Sequence, residues 1–281
     1  MLSNSCETNH RLSISIVTYF PDITEFTHTL TSLKAAIDYL YQEMSIVTHV
    51  TVVDNSVNQQ IASQVSQLLQ SELRGISQME TSSVNIGYGL GHNLAAAKGV
   101  GRWHLVMNAD IELDKDALST ALTFLEHPDN QTVGLISPHC VNGDGRRAYL
   151  CKRYPSVLDL ALRGFAPAAL RQLFKDRLAI YECRDYSDYQ PVESIMIVSG
   201  CFMFFREQAW NTTGGFAAQY FLYFEDFDLS MRLHQIWRIA YVPNIRIVHH
   251  GGHAARKGLK HVILFMRSAC CFFSTHGWKI I

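Results

Sequence analysis

The sequence has 281 residues, of which 48% are hydrophobic and 17% are charged, so it can bury a large core as a globular chain. Its formal net charge is -1. This near-neutral balance argues against general nucleic-acid binding, because such binding needs a basic surface that neutralises phosphates.

The cysteines and the polar N-terminus predict a cytoplasmic protein. The seven cysteines are odd in number, show no C-x-x-C spacing and lie mostly in apolar stretches, which predicts reduced core thiols. Residues 1–11 lack the apolar stretch of a signal peptide. The longest apolar run, 262–273, is interrupted by Arg267 and is too short to span a bilayer.

Strands and helices alternate along the first half of the sequence. Apolar and β-branched runs predict strands at 12–19, 49–56, 75–80 and 103–108. Apolar residues at spacings of three and four predict helices at 23–44, around 61–69 and at 94–98. This alternation implies right-handed crossovers and a largely parallel sheet in an α/β fold.

Polar side chains follow three of these strands, at Thr18 and Tyr19, at Asp54, and at Asn108 and Asp110. Because the carboxyl ends of parallel strands meet at one edge of the sheet, these residues are expected to line a crevice of the kind that binds nucleotides. For Asp110 an alternative stays open, since acids are also favoured at the start of a helix.

The segment 85–93 is rich in glycine, which permits tight turns and a close approach of the backbone to a ligand. Its G-x-G-x-G spacing and its late position differ from the dinucleotide fingerprint, so NAD binding is disfavoured. An ordinary loop is the alternative interpretation.

The second half begins with a predicted helix at 115–125 and a strand at 133–137. A loosely patterned basic region at 140–190 contains a strong turn signal at 142–145. Its arginines and lysines predict either a solvated insertion or a platform for a phosphate-bearing acceptor, since the guanidinium fork binds two phosphate oxygens at once. Further strands are predicted at 195–205, 239–242 and 245–248.

Three acids, Glu225, Asp226 and Asp228, occupy the first turn of a helix predicted at 225–237, directly behind an aromatic cluster. One interpretation is that they only favour the helix dipole, each by about 0.3–1 kcal/mol. The other is that one of them is a catalytic carboxylate.

Residues 256–273 form a basic and aromatic segment, for which two interpretations stay open. It is either a buried final helix or an amphipathic segment that lies on an anionic membrane surface.

The segments 18–19, 53–56, 85–89 with Asn93, and 107–110 resemble inverting family 2 glycosyltransferases with the GT-A fold, most closely the bacterial rhamnosyltransferase branch. The resemblance covers about residues 12–256. It implies a single GT-A domain over 1–281, with a Rossmann-like, mostly parallel sheet flanked by helices. Within it, the resemblance implies a nucleotide-sugar-binding half at about 12–110, an acceptor-binding and catalytic half at about 111–256, and an amphipathic segment at 257–281.

The resemblance also implies roles for individual residues on the donor side. Asp110 would bind a divalent metal, Mn or Mg, on the donor pyrophosphate, with His249 as second ligand and His250 as the alternative, because strand alternation sends these two to opposite faces. Asn108 stands where the family has the first Asp of a D-x-D motif, and an amide adds no charge for a metal. The residues implied to bind the donor are Thr18, Tyr19, Asp54, Asn85, Gly87, Asn93 and Asn108.

On the acceptor side, the Gly-Gly-Phe segment at 214–216 and the acids that follow look like the family's acceptor loop and catalytic helix. Asp226 would be the general base, with Glu225 and Arg153 contacting the acceptor. The implied activity is transfer of L-rhamnose from dTDP-rhamnose to a lipid-linked surface polysaccharide intermediate such as O-antigen. Peripheral contact with the cytoplasmic face of the inner membrane and homodimerisation are compatible with it. The alternative, motivated by Asn108, is a non-catalytic nucleotide-sugar-binding or assembly subunit.

Overall fold

The computed structural model of the protein describes residues 11–251 and 258–281. The strands are β1 Arg11–Thr18, β2 Val47–Asp54, β3 Ser77–Thr81, β4 Trp103–Asn108, β5 Ile111–Leu113, β6 Val133–Asn142, β7 Arg147–Ala148, β8 Cys151–Lys152, β9 Val192–Glu193, β10 Ile197–Val198, β11 Phe202–Arg206 and β12 Arg238–His249. The α-helices are α1 Ile23–Met44, α2 Gln59–Glu72, α3 Tyr88–Ala96, α4 Ala117–Glu126, α5 Val157–Phe165, α6 Ala168–Leu173, α7 Lys175–Tyr181, α8 Glu207–Thr213, α9 Glu225–His234 and α10 Gly258–His276.

The central sheet has the strand order β3-β2-β1-β4-β11-β6-β12-β5, with β7 and β9 paired beside it. Strands β3, β2, β1 and β4 are mutually parallel, and β12 is parallel to β6. Strand β11 runs antiparallel between β4 and β6. The predicted α/β fold with a mostly parallel sheet is therefore confirmed, and the carboxyl ends of β1, β2 and β4 lie at one edge.

Both faces of the sheet are covered, because alternate residues of its strands enter two different cores. The larger core lies under α1, α2 and α4, and the second lies under α8 and α9. Helix α1 begins where the carboxylate of Asp22 accepts hydrogen bonds from the N–H groups of Thr24 and Glu25. It ends at Ser45, whose backbone is left-handed, and it buries the predicted apolar face of Phe26, Leu30, Leu33, Ile37 and Leu40.

The single strand predicted at 195–205 is wrong, because the chain turns between Ser199 and Cys201. Residues Ile197–Val198 pair with β8 in a separate two-stranded sheet, whereas Phe202–Arg206 join the central sheet as β11. The turn brings the Gly200 N–H within 2.8 Å of a carboxylate oxygen of Asp226. The break in the strand therefore forms part of the candidate site.

Two other predicted boundaries also change. The helix predicted at 94–98 begins earlier, at Tyr88, inside the glycine-rich segment. Its Gly89 and Gly91 leave room for the side chains of Phe216 and Val17, so these glycines serve helix packing rather than ligand approach. The strands predicted at 239–242 and 245–248 are one strand, β12, with a register irregularity between Val242 and Arg246.

The cysteines of the described ranges are all free thiols, as predicted. Cys140, Cys151, Cys183 and Cys201 are buried, but Cys270 is exposed, so the prediction of a core thiol is wrong there. Cys6 and the polar N-terminus at 1–10 lie outside the described residues. The predicted boundary between the acceptor half and the C-terminal segment, at 256–257, also lies outside them.

The C-terminal segment is a helix, α10, with one face in the core. Phe272 and Phe273 are fully buried and pack against Phe224 and Tyr154, so the alternative of a buried final helix holds for this face. The opposite face of α10 is exposed near its N-terminus. Within residues 11–251 and 258–281, no helix is long and apolar enough to cross a membrane.

Candidate active site

The first part of the candidate site is a hydrogen-bonded cluster at the carboxyl ends of β1 and β2. The Thr18 hydroxyl donates to Oδ1 of Asp54 over 3.0 Å, and the same oxygen accepts from the N–H and the hydroxyl of Ser56 at 3.1 and 2.6 Å. Thr18 and Asp54 are both buried. The Asp54 carboxylate is thus held in one orientation. Tyr19, the next predicted donor residue, is 59% exposed beside it.

The loop before α3 connects this cluster to the second half of the chain. The side-chain amide of Asn55 donates to the Gly87 carbonyl over 2.9 Å, and Oδ1 of Asn85 accepts from the Gly87 N–H over 2.8 Å. Gly87 has a φ of +87°, and any Cβ there would collide with the Phe221 carbonyl. Only glycine therefore suits this position.

Asn93 is hydrogen-bonded to the Gly-Gly-Phe segment. Its amide nitrogen donates to the Phe216 carbonyl over 2.7 Å, and its Oδ1 accepts from the Phe216 N–H over 2.9 Å. Arg232 holds the same segment, since one of its nitrogens donates to the Gly215 carbonyl over 2.8 Å. The predicted donor residue Asn93 thus fixes the Gly-Gly-Phe segment, a contact that the sequence analysis missed.

The predicted metal residues Asp110 and His249 face each other. Nε2 of His249 lies 3.3 Å from Oδ1 of Asp110, whereas Nε2 of His250 lies 2.7 Å from Oε1 of Glu112. Burial acts to raise the pKa of Asp110, but His249 and the Asn108 amide outweigh it, so the pKa is lowered and the carboxylate stays charged. Of the two histidines, His249 is therefore the one beside Asp110.

Two observations fit a cation at this position. Oδ1 of Asp110 and Nε2 of His249 lie 3.3 Å apart and so present an oxygen and a nitrogen ligand side by side. A Cβ on Gly251 would collide with Asp110 and His249, so glycine keeps the space beside both groups open. In the described part of the chain, no three His, Cys, Asp or Glu side chains cluster closely enough to hold a metal on their own. A cation would thus need further ligands, such as the oxygens of a bound diphosphate.

Asp226 lies at the start of α9, facing the turn after β10. Its Oδ2 accepts from the Gly200 N–H over 2.8 Å, and its Oδ1 accepts from the Phe227 N–H over 2.9 Å. Burial raises the pKa of Asp226, although these N–H groups and Lys152 oppose the rise. A half-buried carboxylate with a raised pKa and fixed orientation is suited to accept a proton.

The neighbouring acids differ from Asp226 in their surroundings. Glu225 is buried, its Oε2 has no hydrogen-bond partner, and burial together with the nearby Asp226 raises its pKa well above the ordinary value. Asp228 is also buried, but its oxygens bind Nε of Arg232 at 2.8 Å and Nε2 of His276 at 2.9 Å. Asp228 therefore joins α9 to α10 rather than facing the crevice.

Arg153 pairs with a different acid, Asp185. Its Nη2 is 3.3 Å from a carboxylate oxygen of Asp185, and its backbone N–H donates to the Tyr181 carbonyl. The adjacent Lys152 is buried, and burial lowers its pKa to about 8. Within the described residues, the ion pair of Arg153 is with Asp185, whereas Glu225 and Asp226 are consecutive residues in the first turn of α9.

Comparison with known proteins places this geometry in context. The sequence matches the family described as "Glycosyltransferase like family 2" over residues 15–263. It is also similar to the N-acetylglucosaminyl-diphospho-decaprenol L-rhamnosyltransferase of Mycobacterium tuberculosis, with 24% identity over 212 residues that cover 70% of this chain and 67% of the relative.

Solved structures share the fold. The crystal structure of Staphylococcus aureus TarS 1-349 with UDP-GlcNAc has a TM-score of 0.56 at 15% identity, covering 94% of this chain and 66% of that one. The mannosyltransferase PcManGT of Pyrobaculum calidifontis, with GDP-Man and Mn2+, has a TM-score of 0.54 at 15% identity, covering 96% of this chain and 76% of that one. The chain spans only 38% of a longer TarS structure.

Proposed function

Because the chain belongs to glycosyltransferase family 2 and has the GT-A fold of its structural neighbours, we propose that it moves a sugar from a nucleotide donor to a hydroxyl group of a lipid-linked saccharide. The observation that carries this proposal is the environment of Asp226, whose carboxylate accepts from the Gly200 and Phe227 N–H groups. Gly200 lies beside the end of β4, since the Tyr88 hydroxyl contacts both the Gly200 carbonyl and Asn108. The family makes the chain a glycosyltransferase, so the alternative of a non-catalytic subunit is not favoured.

In the proposed reaction, Asp226 accepts the proton of the acceptor hydroxyl while that oxygen forms a bond to the anomeric carbon of the donor sugar. The bond between the anomeric carbon and the diphosphate oxygen breaks on the opposite side, and the nucleoside diphosphate leaves with its electron pair. The configuration at the anomeric carbon is therefore inverted. Gly200 and Phe227 orient the carboxylate so that a lone pair stays available for the proton.

The residues proposed to bind the donor lie at the ends of β1, β2 and β4 and in the loop before α3. Thr18, Tyr19 and Asp54 are proposed to contact the base and the ribose, with Asp54 pre-oriented by Thr18 and Ser56. Asn85 and Gly87 shape the loop that approaches the donor. Asn108 is proposed to hydrogen-bond the donor without adding charge.

A divalent cation, Mn or Mg, is proposed to be held by Asp110 and His249 together with the donor diphosphate. Such a cation would offset the negative charge that develops on the leaving diphosphate. The side chains present suit it, since one carboxylate and one imidazole leave the remaining coordination positions for phosphate oxygens and water.

The donor and acceptor are proposed by likeness to the mycobacterial relative, whose name gives an L-rhamnosyltransferase acting on a decaprenol-linked N-acetylglucosaminyl diphosphate. We assign dTDP-rhamnose as donor and a lipid-linked surface polysaccharide intermediate as acceptor. With that acceptor, the final product would be a surface polysaccharide such as O-antigen.

The experiment is an assay of the purified protein with Mn2+, dTDP-rhamnose and a synthetic polyprenyl-diphosphate N-acetylglucosamine. Mass spectrometry is expected to detect an acceptor that has gained one deoxyhexose, and NMR is expected to show inversion at the transferred anomeric carbon. UDP-GlcNAc and GDP-mannose serve as competing donors. Transfer from one of these donors, with none from dTDP-rhamnose, would replace the donor assignment, and retention of configuration would overturn the mechanism.

A further inference from the structure

Helix α10 has a second apolar face that the protein leaves uncovered. Leu259, Val262, Ile263 and Met266 recur at spacings of three and four and are exposed, with Leu259 at 75% and Ile263 at 60%. The other face of the helix, through Phe272, is buried. A soluble surface helix usually presents charged residues on its outer face, so this second stripe is unusual.

The end of α5 continues the stripe. The rings of Phe165, at the end of α5, and Phe265 of α10 lie 6.5 Å apart, so the two elements are neighbours. Phe165 is 56% exposed. We name the set of Leu259, Ile263, Met266 and Phe165 the outer apolar patch.

The charged side chains of α10 itself are cations. The helix contains Lys260 and Arg267 and no acidic residue. Both side chains are exposed, and neither makes a salt bridge within the described ranges. Long basic side chains beside an apolar stripe can place their stems on hydrocarbon and their charges among lipid phosphates.

The same helix supports the loop that precedes the proposed base. The Ser268 hydroxyl donates to the Leu222 carbonyl over 2.8 Å, and the ring of Phe265 lies 5.2 Å from that of Phe224. Tyr223 contacts His261 over 3.0 Å. The outer apolar patch is therefore carried by the helix that also fixes residues 222–224, two positions before Asp226.

We propose that the outer apolar patch is a docking surface for a bilayer that contains anionic lipids, with α10 lying in the interface plane. Apolar burial supplies the short-range attraction, and Lys260 and Arg267 supply attraction to anionic headgroups. The biological use of this surface rests on the proposed lipid-linked acceptor, whose lipid would stay in the bilayer while its saccharide reaches Asp226. Vesicle binding itself does not depend on that function.

The test is co-sedimentation of the full chain with vesicles of phosphatidylcholine alone or of phosphatidylcholine with phosphatidylglycerol. The wild-type protein is expected to bind the second kind more tightly, and added salt is expected to weaken that binding. The double variant Ile263→Glu, Met266→Glu is expected to bind at least about tenfold more weakly. The double variant Lys260→Gln, Arg267→Gln is expected to lose about fivefold per charge, on anionic vesicles only.

Ile236→Glu is the matched control, because Ile236 is 66% exposed and lies after α9, outside the outer apolar patch. It is expected to bind vesicles like the wild type. Unchanged thermal unfolding and unchanged turnover of a short-chain, water-soluble acceptor separate loss of docking from misfolding and from failure of the proposed function. Equal vesicle binding by the Ile263→Glu, Met266→Glu variant overturns the proposal. So does a concentration-dependent dimer that this variant abolishes, because a second copy would then cover the patch.

Discussion

The hydroxyl of Tyr88 lies 2.9 Å from Oδ1 of Asn108 and 2.7 Å from the Gly200 carbonyl oxygen. Because the Gly200 N–H donates to Asp226, Tyr88 connects the proposed donor side of the crevice with the proposed base. Burial raises the pKa of Tyr88 well above its ordinary value, so the hydroxyl keeps its proton. That single proton serves one of the two acceptor oxygens at a time.

Replacement of this hydroxyl is the first prediction. Tyr88→Phe leaves the Gly200 carbonyl without its donor, so we expect the unfolding free energy to fall by about 1–3 kcal/mol. Because the Gly200 turn orients Asp226, kcat is expected to fall about ten- to a hundredfold, with a smaller change in KM for the donor. Tyr41→Phe, at an exposed position of α1, is the control. A raised KM with unchanged kcat would show that Tyr88 supports only the donor.

The second prediction concerns the metal. Since Asp110 and His249 supply only two ligands, titration calorimetry is expected to show weak Mn2+ binding to the protein alone and tighter binding when dTDP is present. Asp110→Ala is expected to weaken the dTDP-dependent binding by at least about tenfold. Asp114→Ala, at a nearby exposed acid, should leave it unchanged. Tight Mn2+ binding without nucleotide would contradict the assignment.

The third prediction separates Asp228 from the proposed catalytic acids. Asp228 is buried, and its carboxylate accepts from Nε of the partly exposed Arg232 and contacts Nε2 of His276. Because Asp228→Ala removes both contacts, it is expected to lower the unfolding free energy by about 1–3 kcal/mol in denaturant titrations. Asp38→Ala breaks an exposed pair with Lys34 and should cost less than about 0.5 kcal/mol. If the two variants lose the same unfolding free energy, the contacts of Asp228 do not stabilise the fold more than an exposed ion pair does.

Several site residues could be predicted from the sequence because their positions follow from local pattern. Asp54 and Asp110 come directly after buried runs, and the carboxyl ends of parallel strands converge whatever the rest of the chain does. Asp226 could be placed by the aromatic cluster before it and the apolar spacing after it. Each of these predictions depends on fewer than about a dozen neighbouring residues, the window in which periodicity is informative.

The contacts that connect these residues could not be predicted in this way. Tyr88 and Gly200 are 112 positions apart, and Asp228 and His276 are 48 positions apart. Such pairs form only when separate elements pack together, and no local periodicity encodes them. Strand β5 was missed because its three residues, Ile111–Leu113, are too few to show alternation. The strand predicted at 195–205 failed because its apolar run hid the turn at Gly200.

The fourth prediction concerns the buried acid next to the base. Burial raises the pKa of Glu225 well above 4.5, so the folded protein retains a proton that the unfolded chain has already lost. Stability therefore falls as pH rises above about 4.5. Glu225→Gln removes this loss, and we expect a gain in unfolding free energy of about 1–3 kcal/mol near neutral pH. The gain should be larger at pH 8 than at pH 5 in thermal unfolding. A pH-independent difference would show that Glu225 ionises normally.

The last prediction concerns Asp226 itself. Asp226→Asn preserves the size of the side chain, but its single oxygen can accept from only one of the Gly200 and Phe227 N–H groups, and the amide cannot take a proton from the acceptor hydroxyl. Because a general base contributes about 10²–10⁴-fold to rate, kcat is expected to fall in that range with donor affinity nearly unchanged. Loss of one backbone hydrogen bond is expected to lower the unfolding free energy by about 1–3 kcal/mol.

Asp22→Asn is a matched control for this variant, since Asp22 also accepts two backbone N–H groups at a helix start but lies far along the chain from α9. An acid that only favours a helix dipole contributes about 0.3–1 kcal/mol to stability and nothing to turnover, and this outcome is expected for Asp22→Asn. If Asp226→Asn keeps more than about a tenth of the wild-type turnover, then Asp226 is a capping acid like Asp22. The acceptor proton would in that case have to leave through another group.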